Sequence, residues 1–321
     1  MSFDHVAILG TGLIGASVGL AIKAARPSTQ VLGYDASGES LRHAQQMKAI
    51  DHRASLREAI PEADLVIVST PVGAMKTLFE EIAPLLRPDT LVMDTGSTKA
   101  RVLEWAERAL PIGASFVGGH PMAGKTEHGP EAADANLFQG AIWCLVPLPT
   151  TSRQAIDQAV AAVELLGATP YFLDAEEHDG LVAAVSHLPY LMSVALISHL
   201  GNERSWRETA SLAAGGFAYA THLTDSDPRM FADIMRTNRD SIVRRLDSYI
   251  DELRELRAAI AADSPELKER FERARALHMD WLSGRAQGQT VPSAEAGDNP
   301  LPTTKSLLTG SLFGRWGRDR G

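Results

Sequence analysis

The stretch His5-Val6-Ala7-Ile8-Leu9-Gly10-Thr11-Gly12-Leu13-Ile14-Gly15 decides the fold. It predicts a buried strand over 6–9 that runs into a Gly-x-Gly-x-x-Gly turn and then into a helix over 14–25. A second strand, over 31–34, ends at Asp35, twenty residues after Gly15. Each glycine has a mechanical reason. Gly10 permits the tight turn, Gly12 lets the backbone approach a pyrophosphate, and Gly15 lets the helix sit close to its strand. The loop from Gly10 through Thr11, Gly12, Leu13 and Ile14 to Gly15 turns unpaired N–H groups and a positive dipole end toward the phosphates. Asp35 can accept from both hydroxyls of an adenosine ribose and repels a 2′-phosphate, which predicts NAD rather than NADP. A glycine-rich turn without a ligand is the alternative; strand, glycines, helix, strand and acid in this order argue against it.

Outward from that unit, the first half of the chain alternates apolar runs with amphipathic stretches. Strands are expected over 6–9, 31–34, 65–69, 91–94, 115–118 and 142–146, with helices such as 14–25, 37–47 and 73–85 between them. This is the pattern of an α/β, Rossmann-type doubly wound parallel sheet covered by helices. Ligands on such a sheet bind beyond the carboxyl ends of the strands. Three loops fall there: Ser69-Thr70-Pro71, Asp94-Thr95-Gly96-Ser97 and Gly118-Gly119-His120-Pro121. The first is expected to face the ribose and nicotinamide side of the cofactor.

After Pro147-Leu148-Pro149 the pattern changes. A helix face of Ile156, Val160 and Val163 stops at Gly167, a short apolar run follows over 170–173, and beyond Glu176 nearly everything reads as helix. Asp227-Pro228 is an N-cap with proline at the first helical position. It opens an apolar stripe through Phe231, Ile234, Ile242, Leu246, Tyr249, Leu253, Leu256 and Ile260. A stripe of some nine turns exceeds what one domain's core usually needs, so part of it is expected to pack on a second subunit, the alternative being that it covers only its own core. The domains expected are a nucleotide-binding domain over 1–150, an all-α dimerisation domain over 151–284, and a disordered tail over 285–321, rich in Gly, Pro, Ser and Thr.

Composition narrows the function classes. The 321 residues are 45% hydrophobic and 22% charged, a globular balance. A net charge of −9 argues against nucleic acid as a partner. The one cysteine, Cys144, is expected as a buried thiol. No metal is called for. A strand that begins within five residues of the start leaves no room for a signal peptide, and the apolar run over 188–197 is interrupted by Pro189, so no membrane span is expected and the location predicted is cytoplasmic.

The segments Asp94-Thr95-Gly96-Ser97-Thr98-Lys99 and Gly118-Gly119-His120-Pro121-Met122-Ala123-Gly124 carry a resemblance, joined by Glu177-His178-Asp179, Ser186-His187-Leu188-Pro189, Ala214-Gly215-Gly216-Phe217 and Ser226-Asp227-Pro228. Over about residues 5–282 the chain resembles the prephenate dehydrogenases, the family that includes arogenate and cyclohexadienyl dehydrogenases. The resemblance implies a homodimer and NAD-dependent oxidative decarboxylation of prephenate to 4-hydroxyphenylpyruvate. A ring alcohol that loses hydride becomes carbonyl-like, and a base drawing on its proton lowers the barrier. His120 is assigned as that base. Ser97 matches the family serine that hydrogen-bonds the catalytic histidine or the substrate hydroxyl, and capping of the next helix is its other role. Lys99 is expected near the substrate or at the surface. His187 lines the substrate entrance or is a satisfied core histidine. Tyr190 stands where many relatives carry a second histidine, and His178 is read as structural.

The largest departure concerns the substrate's carboxylates. By position, Ala218 and His222 replace the family's cation and its carboxylate-gripping arginine, and Thr126, between Lys125 and Glu127, stands where some relatives have a glutamate. Imidazole cannot offer a bidentate planar fork. Either Lys125, His128 or Arg229 supplies the charge from another direction, or the substrate is a related cyclohexadienol such as arogenate or a 4-amino analogue, or activity is weak. Another hydroxyacid dehydrogenase and a nucleotide-sensing protein are the remaining alternatives.

Overall fold

The computed structural model describes residues 3–111, 113–125 and 127–286. Eight strands form one sheet: β1 His5–Leu9, β2 Gln30–Tyr34, β3 His52–Arg53, β4 Leu65–Val68, β5 Leu91–Asp94, β6 Ser115–Pro121, β7 Ile142–Pro147 and β8 Thr169–Phe172. Across the sheet they lie in the order β3-β2-β1-β4-β5-β6-β7-β8. The first six are parallel, β7 is antiparallel to β6, and β8 is parallel to β7. This is the expected doubly wound order, with its reversal between β1 and β4, where a crevice opens beyond the strand ends. Alternate residues of β1 feed opposite cores. Val6 and Ile8 pack with Ile22, Ile67 and Trp143 on one face, and Ala7 and Leu9 with Val66, Phe79 and Phe116 on the other.

The sheet continues past the boundary expected at residue 150. Helix Arg153–Leu165 buries Ala155, Ala159, Ala162 and Val163 against the sheet core. The run read as a short apolar stretch is β8, the edge strand, where Pro170 costs little because an edge N–H needs no partner within the sheet. The all-helical part therefore starts at Ala175, capped by Asp174, whose carboxylate accepts the N–H of Glu177 at 2.7 Å.

β6 also outruns its expected end. The antiparallel ladder with β7 carries the strand through His120 to Pro121, with His120 opposite Cys144. His120 thus stands on a paired strand instead of a loop. A Cβ at Gly119 would lie 2.4 Å from the carbonyl oxygen of Asp94 and 2.8 Å from the Trp143 indole nitrogen, so only glycine lets this strand lie so close to β5.

In the helical part, Ala175–Val182, a π turn over Ala183–His187 and Leu188–Gly201 form one continuous helix. Pro189 falls in the first turn after the π segment and does not break it. The resulting helix, Ala175–Gly201, is 27 residues long with a mean hydropathy of 1.8, long and apolar enough to cross a membrane by length and composition only; Pro189, read as interrupting the apolar run, does not shorten it. Its buried positions include His178, Asp179 and His187, which serve the site described below, and Ser193, whose hydroxyl donates to the Ala220 carbonyl at 2.8 Å.

The long stripe is two helices, Pro228–Thr237 and Arg239–Ala261, broken at Asn238. Asp227 caps the first, accepting from the Arg229 N–H at 2.8 Å. Phe231, Ile234 and Ile242 join Ala183 and Tyr190 in a small third core. Farther along, Leu253 and Ile260 are exposed, Ile260 by 62%. The last helix, Leu267–Ala286, passes the expected end at 284; the rest of the expected disordered tail lies outside the described residues.

Candidate active site

Beyond the carboxyl ends of β1, β4, β5 and β6 the predicted segments line up in spatial order. Gly10 has φ +98°, a backbone form that side chains resist, and a Cβ there would lie 2.4 Å from the carbonyl oxygen of Ser69. At Gly15 a Cβ would lie 1.9 Å from the carbonyl oxygen of Gly10, so the helix sits hard against its own strand. A Cβ at Gly12 would meet nothing within 4 Å. The middle glycine faces open space, the cradle a pyrophosphate needs, at the start of helix Leu13–Ala25. Leu13 and Ile14 are half-buried against the first core cluster.

Asp35 reaches back over this loop. One carboxylate oxygen accepts the Thr11 N–H at 2.6 Å and its hydroxyl at 3.1 Å, and the other accepts the Ser37 N–H at 2.7 Å. Three of its roughly four acceptor positions are thus filled. Accepting from both hydroxyls of a ribose, as expected, requires one of these donors to let go. Across the crevice, Ser69 accepts from the Thr95 hydroxyl at 3.0 Å, Pro71 begins helix Val72–Ile82, and the buried Thr70 hydroxyl has no partner among the described residues. An orphaned hydroxyl and an open glycine cradle on facing loops fit a dinucleotide.

Next along the edge, the Asp94 carboxylate accepts from Gly96 at 2.7 Å and Gly119 at 3.0 Å, and it pairs with the ammonium of Lys99. Both side chains are fully buried. Lys99 is therefore neither at the surface nor at a substrate, because its charge is consumed inside the sheet edge. Gly119 carries the next residue, His120, into the site.

His120 Nδ1 lies 2.9 Å from His178 Nε2, and His178 Nδ1 lies 2.8 Å from Asp179 Oδ1. Asp179 is anchored in turn, accepting the N–H of Lys99 at 2.7 Å and of Ala100 at 3.0 Å. Those are the unpaired donors at the start of helix Ala100–Ala109, so Asp179 from the helical part does the capping that Ser97 was expected to do. Ser97 is half-buried, and no hydrogen bond involves its side chain among the described residues. His178, read from the sequence as structural, is the direct partner of His120.

His120 as a whole residue is half-buried. Burial, followed by the neighbouring His178, Lys99 and His187, holds its pKa well below that of free imidazole. Burial also lowers the pKa of His178, against the pull of Asp179. His187 is buried, its pKa pushed down to about 4, mainly by burial. The Asn238 amide donates to the Asp179 carbonyl at 2.7 Å and lies 3.3 Å from His187 Nδ1, while His187 Nε2 has no partner among the described residues. Cys144, opposite His120, is a buried thiol pushed up to about 11, an inert neighbour.

Three further expected substrate residues make contacts within the protein. Tyr190 is buried, stacked on Phe231 with ring centroids 3.5 Å apart, so core packing accounts for it without a ligand. Lys125 donates to the Ala132 carbonyl at 3.2 Å and sits 3.8 Å from Asp134. His222 is exposed and its Nδ1 donates to the Tyr219 carbonyl at 2.6 Å. Thr126 lies outside the described residues.

Two family models match the chain: "Prephenate dehydrogenase, nucleotide-binding domain" over residues 18–171 and "Prephenate dehydrogenase, dimerization domain" over residues 174–273. The chain belongs to the prephenate dehydrogenase family. The two matched stretches meet where the sheet gives way to the helical part. Prephenate dehydrogenase of Bacillus subtilis is 34% identical over 288 residues, 89% of this chain and 78% of that protein. Cyclohexadienyl dehydrogenase of Zymomonas mobilis is 36% identical over 273 residues, 84% of this chain and 93% of that protein. A crystal structure of the Aquifex aeolicus prephenate dehydrogenase, titled as a complex with hydroxyphenyl propionate and NAD+, superposes with a TM-score of 0.82 at 27% identity, covering 87% of this chain and 99% of that one.

Proposed function

We propose that this member of the prephenate dehydrogenase family oxidises prephenate with NAD, releasing CO₂ and 4-hydroxyphenylpyruvate, a step toward tyrosine. The state of His120 carries the reading: a half-buried residue with a neutral imidazole, on the same sheet edge as the glycine cradle and the orphaned Thr70 hydroxyl. The dinucleotide would be held by the loop Gly10–Gly15, by Asp35 and by Ser69-Thr70-Pro71. When bound, NAD supplies the acceptor for the hydride.

The chain's own part is proton transfer and orientation. His120 takes the hydroxyl proton of the substrate as the hydroxyl-bearing carbon becomes carbonyl-like, which general-base help accelerates by about 10²–10⁴-fold. The ring then gains aromaticity as it loses CO₂, so no strong electrophile is required of the protein. Ser97, whose hydroxyl has no hydrogen-bond partner among the described residues, orients the substrate hydroxyl in this reading.

The same reading includes a homodimer built through the helical part. Among the described residues its core cluster holds five buried apolar side chains, whereas Val185, Leu212, Ile260 and Leu277 are exposed by 62–84%. Covering such a surface is the expected role of a second subunit. The apolar helix Ala175–Gly201 brings His178, Asp179 and His187 to the site, so its length serves chemistry and subunit contact, and the enzyme works in the cytoplasm.

Steady-state kinetics with prephenate and arogenate, each with NAD and NADP, test the proposal. Prephenate with NAD is expected to give the highest kcat/KM, and His120→Asn to remove turnover while NAD still quenches protein fluorescence. Preference for arogenate would move the substrate assignment, and full activity in H120N would end the role of His120.

A further inference from the structure

A carboxylate only accepts hydrogen bonds, and this fixes the direction of the chain His120–His178–Asp179. Asp179 Oδ1 faces His178 Nδ1 at 2.8 Å, so His178 carries its proton on Nδ1. Its Nε2 is then a lone pair, and His120 Nδ1, 2.9 Å away, must be the donor. The one arrangement that satisfies both contacts with neutral rings puts the proton of His120 on Nδ1 and leaves Nε2 free. We infer that His178 and Asp179 are positioning residues, which hold His120 in the tautomer whose Nε2 is the base.

This rests on the reading of His120 as the base in the proposed reaction. Both partners are built for the task. His178 is fully buried and Asp179 nearly so, and Asp179 is immobilised by two backbone N–H groups from the start of helix Ala100–Ala109. A His178 ring that only filled space would need neither its imidazole partner nor an anchored carboxylate behind it. Once His120 accepts a proton on Nε2, its Nδ1–H bond to His178 becomes charge-assisted and stronger. The charged and titratable groups around the pair are Asp179, Lys99, Asp94 and His187. Lys99 and Asp94 offset each other as an ion pair, which leaves Asp179 as the unbalanced charge, on the side that stabilises an imidazolium.

The decisive measurement is the tautomer of His120 from side-chain nitrogen resonances of the uniformly ¹⁵N-labelled protein, assigned by comparison with H120N. A proton on Nδ1 is expected in the unsubstituted protein, and a mixture of tautomers in H178F. In parallel, H178F is expected to lower kcat by about 10²-fold, within the range of general-base contributions, with KM changed less than about twofold. H178Q, whose amide oxygen can stand in for Nε2, is expected to recover most of that loss. A proton on Nε2 of His120 in the unsubstituted protein overturns the inference, as does unchanged kcat in a folded H178F. Should the protein turn over no cyclohexadienol at all, the functional reading fails, while the tautomer still decides whether His178 orients His120. The resonances of the unsubstituted protein settle the point even if H178F does not fold.

Discussion

The ammonium of Lys99 is sealed against the carboxylate of Asp94 at the end of β5, with both side chains wholly excluded from water. The pair sits directly behind His120, held there by the Gly119 N–H on Asp94. Lys99 contributes to lowering the pKa of His120. Lys99→Met removes that cation, so the acid limb of the kcat/KM profile is expected to move to higher pH. It also strands a buried carboxylate, a loss of about 3–5 kcal/mol for a broken buried pair, softened by the two N–H groups that Asp94 keeps. Urea denaturation and a pH–rate profile check the two effects separately. An unmoved acid limb would mean that the field of Lys99 does not reach the imidazole.

Gly12 and Gly15 should separate binding from folding. Gly12→Ala adds a methyl to open space, so stability is expected to stay within about 0.5 kcal/mol while NAD affinity drops. Gly15→Ala drives a methyl into the Gly10 carbonyl and is expected to unfold the protein at clearly lower denaturant. Calorimetric titration with NAD and chemical denaturation read the two outcomes. Equal effects of both substitutions on stability would count against the cradle.

Stability should depend on acid in a defined direction. His120, His178 and His187 all have folded pKa values below the ordinary 6.5, with His187 at about 4. Between those values the unfolded chain binds more protons than the folded one, so stability is full above pH 6.5 and declines as pH falls toward 4. Each imidazole contributes a slope of up to about 1.4 kcal/mol per pH unit. Denaturation midpoints at pH 7.5, 6 and 5 test this, and His187→Gln is expected to flatten the slope by one group's share. A flat profile over that range would contradict the burial of these rings.

For the substrate's carboxylate, His222→Arg is the informative change. An arginine there adds a bidentate cation, and a charged hydrogen bond of about 1.5–3 kcal/mol corresponds to a KM for prephenate lower by roughly tenfold or more. With uniform binding, kcat stays nearly constant. If KM does not move, residue 222 is not where the anion binds.

The glycine loop was legible because its chemistry is local: three spacings and an acid fix the turn, the cradle and the ribose side. His120 was legible through a motif. Its partners were not, since 58 residues separate His120 from His178 and no periodicity links a strand to the first turn of a distant helix. A usable signal was present in the pair His178-Asp179, polar residues at the start of a helix otherwise apolar enough to span a membrane. Lys99 misled for the opposite reason. A lysine after a polar loop reads as solvated or as reaching toward a substrate, and only the tertiary position of Asp94 makes its burial tolerable. The boundary at 150 failed because β7 reverses direction, so a proline-flanked turn in mid-sheet looked like the end of a domain.

Two acids of the helical part finish helices of the sheet part: Asp179 caps Ala100–Ala109, and Asp233 accepts the Gly73 N–H at 3.1 Å near the start of Val72–Ile82. The nucleotide-binding half is therefore not a freestanding module. Expressed alone as residues 1–173, it would leave both helix starts uncapped, His120 without its neighbour and the Lys99–Asp94 pair uncovered. Evolutionary or engineered exchange of the helical half must bring matching acids with it, or forfeit the partner of His120 along with the interface.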